Sequence, residues 1–175
     1  MWKNNILLVF FGIFLIVNLS CTKKPSTKPR REPQGFNEIK WNQDLSTLDG
    51  LVCLKNRHPQ QKICSKKDDT LKMDKVDLDS IDYYFWRDKF YRVLITIKGY
   101  ENFEQLKKVV FKKFGNGIES QVRDGFGYTW VGEETRIDLG YLKDFNKGTL
   151  SIELSEPAHQ AHQQIMNDLL KSLRK

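Results

Sequence analysis

Residues 81–97 read IDYYFW-RDK-FYRVLITI, and the pattern of this stretch decides the fold. Two runs rich in aromatic and β-branched residues flank Arg87, Asp88 and Lys89, a short polar turn. Alternation at period two places Tyr91, Val93, Ile95 and Ile97 on one face of the second run. A hairpin of this composition belongs in an antiparallel sheet with a covered apolar face.

The cover follows directly. Residues 102–114 (NFEQLKKVVFKKF) switch to helical spacing. Phe103, Leu106, Val110 and Phe114 form one stripe flanked by Val109 and Phe111, while Lys107, Lys108, Lys112 and Lys113 face outward. Asn102, with Gln105 three residues on, is placed to cap the start, and Gly115 to close the end. Three more strands come next: 128–131, then 135–141 with Ile137, Leu139 and Tyr141 on one face, then a strand carrying Leu150, Ile152 and Leu154. A last helix is predicted over 157–173, with Ser155 as its cap and Ala158, Ala161, Ile165, Leu169 and Leu173 as its apolar stripe. Upstream, 36–41 reads as a short strand, 44–48 as a turn of helix, and 71–73 as another short strand. Short turns between strands imply antiparallel pairing. The predicted fold class is α+β: a single antiparallel sheet with one central helix, 102–114, packed on a face, and a C-terminal helix.

Cys53 and Cys64 sit in two runs, LVCLK and KICSK, on either side of the loop NRHPQQ. In a hairpin symmetric about that loop the two cysteines oppose each other, and opposed strand residues lie within disulfide reach. An even pair in an oxidising compartment is a disulfide candidate, and the alternative is two reduced cysteines that only pack. The spacing is not that of a metal or redox motif.

The compartment is read from the N-terminus. Lys3 precedes twelve apolar or small residues at 6–17 (ILLVFFGIFLIV). As a helix these reach about 18 Å, short of the ~30 Å of bilayer hydrocarbon and suited to a signal-peptide core. Leu19-Ser20-Cys21 resembles the lipobox of bacterial lipoproteins, with Ser20 as the small residue before the cut. Asn18 and Leu19 depart from the usual residues there. An ordinary cleaved signal beside an unmodified Cys, or a single uncleaved anchor, are the alternatives. By analogy with lipoprotein sorting, Thr22 points to the outer membrane facing the periplasm.

Charge has the same origin. The formal net charge is +7, but residues 21–35 alone hold five basic side chains against Glu32. Residues 36–175 carry 23 basic and 21 acidic side chains, an ordinary interspersed surface. The basic excess therefore suits anionic headgroups better than nucleic acid, which is not expected as a partner. The chain divides into a signal peptide over 1–20, a lipidated Cys and basic Pro-rich tether over 21–35, an α+β domain over 36–155 and a C-terminal helix over 156–175.

GFNEIKW at 35–41, SIDYYFWRDKFYRV at 80–93, GYENF at 99–103, FKKFGNG at 111–117 and YTWVGEETRIDLGY at 128–141 resemble a group of short exported bacterial proteins of unknown function, common among deltaproteobacteria. More distantly, the element order is similar to the small lipoproteins of the outer-membrane β-barrel assembly machinery and to β-lactamase inhibitor proteins. These resemblances imply a fold and an envelope location, and no activity.

No residue set reads as catalytic. His159 and His162 share a helix flank without a third metal ligand. Asp68, Asp69, Asp74, Asp77 and Asp79 are interleaved with lysines, as in a solvated turn region. Gly125, Gly127 and Gly132 precede no helix and cradle no phosphate. No metal or cofactor is expected. A sheet covered on one side leaves some aromatics on the bare side, so Trp41, Trp86 and Trp130 are the candidate binding surface, with core packing as their alternative. The expected function is a membrane-anchored envelope lipoprotein, a non-enzymatic binding or structural module whose partner, a protein or another envelope component, the sequence does not name. The alternative is a small periplasmic hydrolase or ligand-binding enzyme.

Overall fold

The computed structural model describes residues 28–54, 58–122 and 124–173. Cys21 and the apolar stretch before it lie outside the described residues. Eight strands and two helices follow one another: β1 (Leu51–Leu54), β2 (Gln61–Lys66), β3 (Ser80–Trp86), β4 (Lys89–Lys98), α1 (Tyr100–Phe114), β5 (Ile118–Val122), β6 (Gly125–Val131), β7 (Thr135–Leu142), β8 (Lys147–Leu154) and α2 (Ser155–Leu173). The strands form one antiparallel sheet in the order β1-β2-β3-β4-β8-β7-β6-β5. It is two four-stranded meanders, linked by α1 and joined where β4 pairs with β8 from Arg92↔Glu153 to Lys98↔Lys147. Two minor ribbons, Gly35–Phe36 with Ile39–Lys40 and Lys72–Met73 with Val76–Asp77, stand beside it.

The helical stripe read from the sequence is the one α1 buries: Phe103, Leu106, Val110 and Phe114. They meet Val93, Ile95, Ile97, Ile137, Leu139, Leu150 and Ile152 in the main core. Gly115 ends α1 with a positive φ of 84°, its N–H donating to the Phe111 carbonyl. The start differs from expectation. The helix begins two residues before Asn102, whose side chain instead donates to the Asp77 carbonyl at 2.5 Å. Gly99 takes the cap position with a φ of 89°, a backbone that suits glycine.

Tyr91 corrects the face assignment of the central hairpin. Tyr84 pairs with Arg92 and Phe85 with Phe90, so one residue of β4, Tyr91, has no opposite number. Such a bulge shifts the alternation by one place. Phe90, Val93, Ile95 and Ile97 stay in the main core, while Tyr91 is thrown to the other face. There it joins Trp86 and Ala161 in a second, smaller cluster, with Tyr84, Ala158 and Ile165 around it. That cluster seats α2, so both faces of the sheet carry a helix. Only the first half of the α2 stripe packs: Leu169 and Leu173 are exposed.

Two further differences concern the edges. β5 (IESQV) has no apolar alternation and was not expected as a strand; it pairs with β6 as an outer edge, where one partner suffices. Residues 28–35, expected within the tether, run along the domain. The Arg30 N–H donates to the Phe114 carbonyl at 2.9 Å. Glu32 accepts from the backbone N–H of Glu133, Glu134 and Thr135 and from the Thr135 hydroxyl. Burial pushes the Glu32 carboxyl up, but these four donors together hold it below the ordinary range.

Cys53 and Cys64 are directly opposed in β1 and β2 and form a disulfide, with Cα atoms 3.9 Å apart. Closing so short a loop stabilises by about 2–3 kcal/mol in the chain-entropy model. It staples the four-residue edge strand β1 to its single neighbour.

Candidate functional site

The face that α2 only partly covers is polar by register. One row of cross-strand partners runs Tyr84, Arg92, Glu153, Arg136, Val131 across β3, β4, β8, β7 and β6. The next row runs Asp82, Leu94, Ser151, Asp138, Thr129, and a third runs Ser80, Thr96, Thr149, Gly140, Gly127. Side chains two residues apart on a strand share a face, so three rows of alternating strands make a polar floor.

Bonds within the floor are specific. Arg136 grips Asp138 with two contacts, Nε to Oδ2 at 2.6 Å and Nη2 to Oδ1 at 2.9 Å. The Thr129 hydroxyl donates to Oδ1 of the same carboxylate at 2.7 Å. Arg92 lies with its Nε 3.5 Å from Glu153 Oε2 and its guanidinium over the Tyr84 ring at 5.0 Å. Burial raises the Glu153 carboxyl above its ordinary range; Arg92 and Arg136 oppose this and the nearby Asp138 adds to it. Burial also raises Asp82, with Lys147 opposing.

Above this floor is an open groove in two contiguous parts that share Arg92 and Glu153. One, of about 720 Å³, lies along α2, with Tyr91, Arg136, His159 and His162 in its walls. The other, of about 420 Å³, lies over Leu94, Asp138, Thr149 and Ser151. Among the described residues two donors in the floor make no hydrogen bond: the Ser151 hydroxyl, in a residue only 9% exposed, and the Arg92 Nε, whose one neighbour is the Glu153 carboxylate at 3.5 Å. A buried polar group left unpaired costs about 1–3 kcal/mol, so such groups point to water or a ligand.

The three tryptophans do not come together as a surface. Trp130 is fully buried on the α1 face, its Nε1 donating to the Gly115 carbonyl at 3.0 Å and its ring edge-on to Phe111. Trp86 lies under α2, stacked on His58 at 5.3 Å between ring centres. Trp41 is half-buried, stacks on Phe90 and donates to the Pro33 carbonyl. Their candidacy assumed a bare second face; α2 and the tight main core occupy those places instead. His159 and His162 line the groove, and among the described residues no three His, Cys, Asp or Glu side chains group to hold a metal ion. Among the described residues no helix is long and apolar enough to cross a membrane.

The floor residues were not singled out in the sequence. Arg92, Arg136, Asp138, Ser151 and Glu153 sit at the outward positions of alternating strands and read as ordinary solvent-facing residues. Only the register of β4, β8 and β7 brings them into one network. No family model, no characterised protein and no solved structure matches this chain.

Proposed function

We propose that this chain is an exported envelope protein, lipid-anchored at Cys21 on the periplasmic side of the outer membrane, whose domain is a non-enzymatic binding module. Its recognition surface is the groove over Arg92, Ser151 and Glu153. The observation that carries the binding reading is the buried Ser151 hydroxyl, which has no hydrogen-bond partner among the described residues, beside an Arg92 Nε that makes no hydrogen bond and stands 3.5 Å from Glu153, both on the floor of an open groove. Fixed neighbours on both sides, the Arg136–Asp138 fork and the Arg92–Tyr84 stack, hold the floor in place and limit the ordering cost of association. The exported, anchored reading is supported by the Cys53–Cys64 disulfide, which suits an oxidising compartment, and by the apolar N-terminal stretch ending at Cys21.

A photo-reactive residue at Thr149, on the groove floor, should crosslink to an envelope component in living cells, and Arg92→Ala should abolish the adduct. An adduct equally strong from Asp144, on the exposed β7–β8 turn, would remove the groove from the proposal. Cys21→Ala should release the protein to the soluble periplasmic fraction; membrane retention by that variant refutes lipid anchoring.

One feature favours the alternative of a small hydrolase. Glu153 carries a raised carboxyl in a groove walled by His159 and His162, which suits general acid chemistry. Turnover of ester or glycoside substrates by the purified protein, lost in Glu153→Gln, would establish that reading in place of simple binding.

A further inference from the structure

We infer that the end of the domain where residues 28–35 join it rests on the anionic headgroups of the bilayer that holds Cys21. This rests on the lipid-anchor reading, and extends it from where the chain is attached to how the domain is oriented.

Chain length limits how far the domain stands from the bilayer. Residue 28 is already fixed against the domain, its Nζ 3.0 Å from Glu133 Oε1, and Arg30 is bonded through its backbone to the end of α1. Seven peptide units separate Cys21 from Lys28. Even fully extended they reach about 24 Å. A domain held on so short a lead stays beside the membrane, with this end nearest to it.

Charge favours the same end of the domain. Arg31 and Lys113 line one cleft with Phe114, and the Arg30 side chain lies over Gly115 at the end of α1. Lys112 adjoins Lys113, and Lys108 stands one turn earlier on the same helix; all three are exposed. Among the described residues no carboxylate pairs with Arg30, Arg31, Lys108, Lys112 or Lys113. Of the acidic groups close by, Glu32 is engaged by its four donors and Glu133 by Lys28, and only the exposed Glu134 stands beside them. Arg30, Arg31 and Lys113 therefore lie together at the point of attachment, Lys112 and Lys108 extend the basic charge along the same helix, and Lys23 and Lys24 lie in the lead itself. Juxtamembrane basic groups of this kind are attracted by acidic phospholipid, each strengthening association by roughly fivefold.

The orientation has a direct result. α1 and α2 lie on opposite faces of the sheet, so docking by the C-terminal end of α1 leaves the groove on the α2 face open to the aqueous phase.

The test uses the lipidated protein reconstituted in phosphatidylcholine vesicles with or without about 30% phosphatidylglycerol. A fluorophore on a cysteine introduced at Asn116, beside the basic end, is compared with one at Gln160 on α2, using a quencher attached to lipid headgroups. Quenching at Asn116 should be strong in the acidic vesicles, weaker in the neutral ones and weakened by salt; Gln160 should be spared in both. The triple substitution Lys108→Gln, Lys112→Gln, Lys113→Gln should lower the docked-to-undocked ratio about a hundredfold, at about fivefold per residue. Equal quenching at the two sites, or quenching unmoved by the triple substitution, overturns the docking. Absence of acyl mass on Cys21 would sink the anchor alone. Flotation of the unlipidated chain with acidic vesicles would then read the same variant, and flotation unaffected by it overturns the docking.

Discussion

On one face of the sheet, α1 lays Phe103, Leu106, Val110 and Phe114 into a closed apolar core; on the other, α2 covers a corner and leaves charged rows in view. Both faces come from the same alternating strands. What separates them is the size and continuity of the apolar set each one offers. The α1 face draws on both meanders and buries its residues almost completely. The apolar cluster on the α2 face has three buried residues, and one of them, Tyr91, is there because of a bulge. Burial of apolar area therefore holds one face, and the other is free to carry polar groups whose bonds are incomplete.

The largest expected effect strikes the closed face. Phe103→Ala should cost about 3–5 kcal/mol in urea unfolding, whereas Ile165→Ala, on the half-buried inner side of α2, should cost only about 1 kcal/mol. Equal costs would break the contrast. A smaller loss should follow Gly117→Ala. A Cβ at that position would lie 2.7 Å from the Trp130 ring, which is held by Phe111 and by its bond to the Gly115 carbonyl. Overpacking of this kind costs about 1–3 kcal/mol, and an unchanged urea midpoint would show the Trp130 seat to be loose. The smallest effect belongs to the polar face. The raised carboxyl of Glu153 holds its proton more tightly in the folded chain than in the unfolded one. Stability attached to it is present below the ordinary carboxylate pKa and is lost as pH rises through the folded value. Melting temperatures followed over about pH 4–7 should therefore fall more in the native chain than in Glu153→Gln; a steeper fall in the variant would reverse the assignment.

Much of the closed face was legible in the sequence. The 81–97 hairpin, the α1 stripe and the opposition of Cys53 and Cys64 each follow from a strong local period, and each stands where the period puts it. Tyr91 was placed on the wrong face because a bulge leaves no mark in an otherwise perfect alternation. β5 escaped because IESQV owes its strand to β6 and not to its own composition. Ala158, Ala161 and Ile165 were read correctly as a packing stripe, but Leu169 and Leu173 extended it past the part that finds a partner. The candidate site was the least legible of all. Arg92, Arg136, Asp138 and Glu153 come from three strands separated by up to 61 residues, and no local period connects them.

Glu32 ties the chain entering the domain to the turn between β6 and β7, and it does so with three consecutive backbone N–H groups and a hydroxyl. A pull arriving from upstream of Lys28 is therefore taken up at this knot and at the Arg30–Phe114 bond before it reaches any rung of the central ladder. Traction is spread over several bonds at the β6–β7 turn, and the rungs that join β4 to β8 are spared the load.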